Sequence, residues 1–270
     1  MRRPTRRSQA AILAFLLAPA LLLPGCGKRD NPILRLSAAE ALEIGKQLLA
    51  EEKYYRAGQH LTHAFEVEPN SRSGREALLL AADALYLDGG TDNYIRCESK
   101  YRDFLNRFPT SDRADYAQFQ AANCLAARAE KPDRDQTVTV QALDAYQELL
   151  RLYPTSPYAP EAREKMQEVT DRLAEHELMV GQFYLRYARG RLCNAAIERF
   201  QHLQAEYPGY SRMDSVLYHL GVAYEKCNRD DDAWEVLREL RSKYPESELM
   251  TEVPELEEKL SEGEADAAAS

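Results

Sequence analysis

Five times along the chain, a helix-compatible run is stopped by the same short signal. Phe108-Pro109-Thr110-Ser111, Tyr153-Pro154-Thr155-Ser156 and Tyr244-Pro245-Glu246-Ser247 share an aromatic, a proline and a serine. Tyr207-Pro208-Gly209-Tyr210-Ser211 adds one residue, and Glu68-Pro69-Asn70-Ser71 lacks the aromatic. Proline cannot continue a helix, and it biases the residue before it away from helical geometry. The serine is placed to cap the helix that follows, and the aromatic to pack against the hairpin it closes. Composition points the same way. With 12 Gly in 270 residues and few Val, Ile or Thr runs, strands are disfavoured, while abundant Ala, Leu, Glu and Arg favour helices.

Read backwards from each proline, the spacing resembles the tetratricopeptide repeat. The first unit supplies Ile44, Gly45, Leu48, Ala57, Leu61, Ala64 and Pro69; the last supplies Leu217, Leu220, Gly221, Tyr224, Ala233, Leu237, Leu240 and Pro245. Small residues let the two helices of a hairpin cross closely, and large ones fill the groove to the next hairpin. The resemblance implies an all-α, right-handed solenoid of about five helical hairpins. The middle units are stretched. The second carries extra residues around Asp88-Gly89-Gly90, and the third a polar link over Lys131–Gln136. In the fourth, Ala162, Met166, Val169, Leu173, Val180, Phe183 and Tyr187 keep a three-to-four spacing that predicts one inward stripe. That stripe implies a helix of roughly thirty residues, about 45 Å long, in which Gly181 costs about 1 kcal/mol relative to Ala without breaking the helix.

The first residues set the compartment. Arg2, Arg3, Arg6 and Arg7 precede an apolar run from Ala10 to Leu23, shorter than the roughly 20 residues a bilayer span needs. A basic start and short apolar stretch read as a secretory signal. Leu23-Pro24-Gly25-Cys26 resembles the bacterial lipobox, which implies cleavage before Cys26 and attachment of acyl and diacylglycerol groups to it. Gly27, rather than Asp, implies sorting to the outer membrane. The organisation expected is a lipoprotein signal peptide over 1–25, a lipidated linker over 26–36, about three repeats over 37–155 and about two over 156–250 with the long joining helix. Thr251–Ser270, with seven acids and one Lys, reads as a frayed helix and then an acidic disordered tail.

Charge and side-chain chemistry exclude several functions. Residues 1–25 carry four of the 35 Lys and Arg and none of the 44 acids, so the remainder has a net charge of −13. A chain this acidic is a poor nucleic-acid binder. His176-Glu177 begins like a zincin motif, but Val180 stands where the second His belongs. His60 and His63 lie about one turn apart without a third ligand, and Gly89-Gly90 is a lone loop pair. No nucleophile elbow is present. The reading is therefore a non-enzyme with no metal and no cofactor beyond the lipid on Cys26. No cysteine pair has CxxC spacing. In the oxidising periplasm, Cys193–Cys227 and Cys97–Cys124 are candidate disulfides, since each pair falls on neighbouring helices or turns; buried free thiols are the alternative.

A lipobox followed by such repeats resembles the BamD (YfiO/ComL-like) family of the outer-membrane β-barrel assembly machinery. The likeness is most specific over Asp171–Arg186, and over Ala195-Ala196-Ile197-Glu198-Arg199-Phe200 ahead of Tyr207-Pro208. The resemblance implies a scaffold on the periplasmic face of the outer membrane. Its C-terminal repeats would dock on a periplasmic POTRA domain of BamA, beside the other assembly lipoproteins, and its N-terminal repeats would contact unfolded β-barrel proteins. Arg199 matches a basic position of the docking region, and Tyr54, Tyr55, Tyr86 and Tyr94 are candidates for the N-terminal groove. A Tol–Pal-associated or other periplasmic tetratricopeptide lipoprotein regulating envelope enzymes is the alternative, because Tyr153–Ala159 resembles its punctuation. Such proteins carry an N-terminal coiled coil, and Cys26 to Leu36 shows no sustained heptads.

Overall fold

A computed structural model describes residues 31–187 and 191–269, with side chains for these except Arg191 and residues 262–269. The signal peptide over 1–25 and Cys26 lie outside the described residues. The chain divides into two units, Met1–Leu36 and Ser37–Ser270. In the first unit, Pro32–Arg35 form one 3-10 turn, started by the Asn31 side chain accepting from the Ile33 N–H at 3.1 Å. The second unit is a run of helical hairpins. They are α1 (Ala38–Ala50) with α2 (Tyr54–Val67), α3 (Arg72–Asp88) with α4 (Thr91–Arg107), and α5 (Ala114–Ala126) with α6 (Thr137–Leu152). Then come α7 (Ala159–Arg186) with α8 (Arg191–Glu206), and α9 (Met213–Lys226) with α10 (Asp230–Lys243). A 3-10 turn at Glu248–Thr251 leads to α11 (Val253–Ala269). Each helix packs on the one before it and the one after, the nearest-neighbour arrangement of a repeat solenoid.

The stop signals are built alike. The residue before proline closes the last helical bond with its own N–H, as in Phe108 to Phe104 O and Tyr153 to Leu149 O, both at 2.8 Å. Its carbonyl then accepts from the residue three positions on, with proline between them: Ser71 to Glu68, Ser111 to Phe108, Ser156 to Tyr153, Tyr210 to Tyr207 and Ser247 to Tyr244, at 3.0–3.1 Å. This is a β-turn with proline at its second position, where a fixed φ suits it. The serines do less capping than their spacing predicts. Ser71 alone starts its α-helix, accepting from Gly74 N–H at 2.9 Å. Ser156 and Ser247 instead donate to Asp115 Oδ2 and Asp214 Oδ2, at 2.7 and 2.6 Å. Both acids lie in the first turn of their hairpin's first helix, so each hairpin's exit is tied to its entrance.

Helix α5 shows why these units need neighbours. Ala117, Ala121 and Cys124 pack with α3 and α4, while Phe119, Ala122 and Leu125 pack with α6 and α7. From α7 to α11 one continuous core runs through Leu178, Phe200, Leu217, Leu220, Leu237 and Leu256. Helix α7 has 28 residues, about 42 Å of helix. Its C-terminal half is locked to the α8–α9 turn, where Tyr210 donates to Glu175 and Arg212 pairs with the same carboxylate at 3.0 Å.

Two sequence expectations are corrected. The inward stripe of α7 does not run through Val180, Phe183 and Tyr187; its last turns bury Leu178, Gly181 and Leu185. Gly181 is why. A Cβ there would stand 2.3 Å from Cε1 of Phe200, so glycine admits the fully buried Phe200 ring against the α7 backbone. Residues two positions apart on a helix differ by about 200°, which turns Phe183 outward. The second correction concerns the tail from 251, expected to be a frayed helix and then disordered; its helix is packed. Val253, Leu256 and Leu260 recur at helical spacing and are buried against the last hairpin. With α10 ending the repeats, its groove needs a lid, and α11 supplies one. Arg241 pairs with Glu257 across that seam at 2.7 Å.

Disulfides join Cys97 to Cys124 and Cys193 to Cys227, with Cα atoms 6.4 and 5.7 Å apart. Each runs from the second helix of one hairpin to the first helix of the next: α4 to α5, and α8 to the end of α9.

On an open helix face Gly→Ala would stabilise by about 1 kcal/mol. Gly181→Ala is instead expected to destabilise by about 1–3 kcal/mol through overpacking, read as a lower urea midpoint at unchanged m-value. Reducing either disulfide, with sequence separations of 27 and 34, is expected to cost about 3.5 kcal/mol on loop-closure grounds. Urea titrations of the two Cys→Ser double variants would measure each cost.

Candidate partner-binding surfaces

The outward turn of α7 creates the most apolar exposed feature of the C-terminal half. Met179, Phe183 and Tyr187 follow one another at four-residue spacing on its outer face, with Phe183 58% and Tyr187 55% exposed. Phe183 lies 5.1 Å from the Tyr187 ring and 5.9 Å from Tyr184. Leu192, at the start of α8, is also exposed. Contiguous exposed aromatics of this kind mark interaction surfaces.

Tyr184 carries the patch into a shallow depression of about 370 Å³, which it lines with Ala195, Glu198, Arg199 and His202. Arg199 is not a free cation there. Its Nη1 donates to Glu177 Oε2 at 3.0 Å, with the Arg side chain 43% exposed and the Glu side chain 16%. Glu177 thus fixes the guanidinium, and the other N–H groups of its five-donor fork remain for other acceptors. Burial, and then Glu177, push the Tyr207 phenol above its usual range. The sequence spacing missed Phe183 and Tyr187 as surface residues. The signal that could have found them was Gly181, since a glycine that faces a neighbouring helix turns the second residue after it away.

In the N-terminal half the four candidate tyrosines fall into two places. Tyr54 and Tyr55 open α2, with Tyr54 half-buried and Tyr55 69% exposed, its hydroxyl accepting from Gln59 at 3.2 Å. Tyr86 and Tyr94 flank the α3–α4 turn with ring centroids 5.7 Å apart, half-buried against the core of α3 to α5. That turn needs its glycines, because Gly89 and Gly90 have φ of 74° and 88°, a region costly to other residues. Burial, then Tyr94, raise the Tyr86 phenol. Both tyrosine pairs sit beside turns within hairpins, which a stack of hairpins places along one edge.

Asp83, on α3, is a part-buried polar node of this half. The hydroxyls of Tyr101 on α4 and Tyr116 on α5 both donate to Oδ1, the latter at 2.7 Å. Burial pushes the Asp83 carboxyl above its ordinary range and outweighs the opposite pull of both tyrosines and of Arg113. The two phenols are pushed up as well, first by burial and then by the carboxylate charge. His60 and His63 both stand on α2; among the described residues no three His, Cys, Asp or Glu cluster as a metal site. His176 contacts the Pro132 carbonyl at 2.6 Å, holding the α5–α6 link against α7. No helix among the described residues is long and apolar enough to cross a membrane.

Comparison with known proteins places the chain in a family. A profile of the outer membrane lipoprotein family YfiO matches residues 35–236. A Vibrio cholerae protein is 40% identical over 213 residues, covering 73% of this chain and 83% of its own length. Proteins of Haemophilus influenzae and Rickettsia prowazekii are 28% and 27% identical, covering 78% and 87% of this chain and 82% and 92% of their own lengths. All three relatives are named outer membrane protein assembly factor BamD.

The Asp83 node makes a pH signature. A carboxyl whose folded-state pKa lies above its ordinary 3.8 favours the folded state when protonated, so stability is lost as pH rises through the folded pKa. Asp83→Asn keeps an acceptor oxygen for the tyrosines and cannot ionise. The variant is expected to gain on the wild type as pH rises from about 3.5 and to hold a constant difference near pH 7. Paired urea titrations across that range measure it.

Proposed function

Because the chain belongs to the outer membrane lipoprotein family YfiO, we propose that it is a non-enzymatic scaffold of the machinery that assembles β-barrel proteins into the outer membrane. Cys26, outside the described residues, carries the acyl and diacylglycerol groups and holds the repeats at the periplasmic face. Each buried methylene adds about 0.8 kcal/mol, and one chain alone binds marginally, so a multiply acylated cysteine anchors stably without a membrane-spanning helix.

The C-terminal hairpins dock on the POTRA domain of BamA, alongside the other assembly lipoproteins. The observation that carries this reading is the exposed Met179–Phe183–Tyr187 face running through Tyr184 into the Arg199 depression. An aromatic centre beside a fixed arginine is the composition that dominates binding energy at protein interfaces. Glu177 presents the Arg199 fork, and a POTRA carboxylate takes its remaining N–H groups. The N-terminal hairpins contact unfolded β-barrel proteins through Tyr54, Tyr55, Tyr86 and Tyr94, where the exposed Tyr55 and the half-buried other three offer both hydrogen bonds and apolar contact.

The test is affinity purification of tagged, lipidated protein from membranes. Recovery of BamA without Tol–Pal components is expected. Arg199→Glu is expected to lower the BamA ratio at least about tenfold. A charge swap, Glu177→Arg with Arg199→Glu, keeps the internal pair and is expected to lose BamA equally while retaining the wild-type melting curve. Undiminished BamA in the swap variant would remove Arg199 from the docking surface.

A further inference from the structure

The two disulfides differ in what can reach them. Cys97 and Cys124 are each 0% exposed, closed in between α4 and α5. Cys193 is 5% exposed, and its partner Cys227, the residue that closes α9, is only part-buried. Cys227 Sγ lies 3.4 Å from Oδ1 of the exposed Asn194. A thiol that attacks this second pair therefore meets a sulfur at the surface, and exposed disulfides are the ones that reduce readily.

The Cys193–Cys227 bond stands at the exposed aromatic face. Cys193 follows the exposed Leu192 in the first turn of α8, and the next buried residue of that helix is Ala196. One residue before Cys227, Lys226 donates to the Leu185 carbonyl at 3.5 Å, in the last turn of α7 between Phe183 and Tyr187. The end of α9 thus grips both helices that carry the face, α7 through a long hydrogen bond and α8 through a covalent one. Arg199 does not share this support. It lies more than one turn further along α8, beside the fully buried Phe200, and Glu177 of α7 holds its guanidinium at 3.0 Å.

We propose that Cys193–Cys227 is a redox switch on the aromatic half of the docking face: oxidised, it fixes Phe183, Tyr187 and Leu192 for the partner, and reduced, it releases them. The proposal rests on the reading of that face as the surface that docks on BamA. The reductant is a periplasmic dithiol of the thioredoxin class. Its first thiolate attacks Cys227 Sγ and forms a mixed disulfide, while Cys193 leaves as a thiolate and takes a proton from water. Its second thiolate then displaces Cys227, so the protein gains two thiols and the reductant ends as a disulfide. Reduction lets the first turn of α8 fray, and ordering that turn again on docking costs binding free energy. Cys97–Cys124, out of reach in the core, stays intact and keeps the N-terminal half stapled.

The experiment uses full-length lipidated protein in detergent micelles, graded dithiothreitol, and iodoacetamide labelling read by mass spectrometry. Cys193 and Cys227 are expected to be labelled at least about tenfold faster than Cys97 and Cys124 in the folded protein. On that selective reduction, amide hydrogen exchange is expected to rise in the last turn of α7 and the first turn of α8, and to stay level in α3, α4 and α5. Titrated with the periplasmic domains of BamA, Cys193→Ser with Cys227→Ser is expected to bind at least about fivefold more weakly than the oxidised wild type. Cys97→Ser with Cys124→Ser, a comparable loss of loop closure, is expected to keep the wild-type affinity, which separates the switch from general destabilisation. Labelling of all four cysteines together, unchanged exchange at the α7 and α8 ends, or full BamA affinity in the Cys193→Ser, Cys227→Ser variant overturns the proposal. An oxidised wild type that binds no BamA overturns the docking reading instead, and labelling and exchange then decide whether the bond is a switch.

Discussion

The hydrogen bond that closes each proline turn is the element on which the repeat depends. It ends the second helix of a hairpin, fixes the direction of exit and does so with backbone atoms alone, so the side chains around it are free to differ. That is why Glu68 serves where Phe108, Tyr153, Tyr207 and Tyr244 stand elsewhere, with the same carbonyl accepting at 3.0–3.1 Å. Helix lengths between the turns then vary, from 13 residues in α1 to 28 in α7, without disturbing the stacking. In the third and fifth hairpins a serine hydroxyl on the exit and an aspartate on the entrance add a second tie.

A stack of this kind uses up its inward positions on packing and leaves function to whatever cannot turn inward. Two consequences are visible. Gly181 brings Phe200 against α7, and the same close approach sends Phe183 and Tyr187 to the surface. In the other half, Asp83 occupies Tyr101 and Tyr116, and Arg113 and Arg75 lie over the Tyr116 and Phe108 rings. Core packing and surface chemistry are set by the same residues in both places.

The hairpins were legible because proline, glycine and small-residue positions act locally. Pro69, Pro109, Pro154, Pro208 and Pro245 mark the hairpin ends whatever surrounds them. The length of α7 was legible for the same reason: nothing in its sequence forces a stop between Pro160 and Tyr187. What escaped depended on what a helix meets. Spacing by threes and fours fits more than one face of a long helix, and only the position of Phe200 decides that Gly181 lies inward. The tail looked disordered because seven acids outweigh three large apolar residues in composition. Val253, Leu256 and Leu260 matter because the last hairpin leaves a groove for them.

The placement of the two disulfides bears on how the chain acquires them. Besides Cys26, four cysteines permit three pairings, and only the one found joins each thiol to the next along the chain. A polypeptide that enters an oxidising compartment N-terminus first presents Cys97 and Cys124 together before Cys193 arrives, and Cys193 then meets Cys227 as the one partner left among the four. Because each bond joins one hairpin to the next, order of entry favours the native pairing. The solenoid can be stapled as it grows, with no shuffling of bonds between its ends.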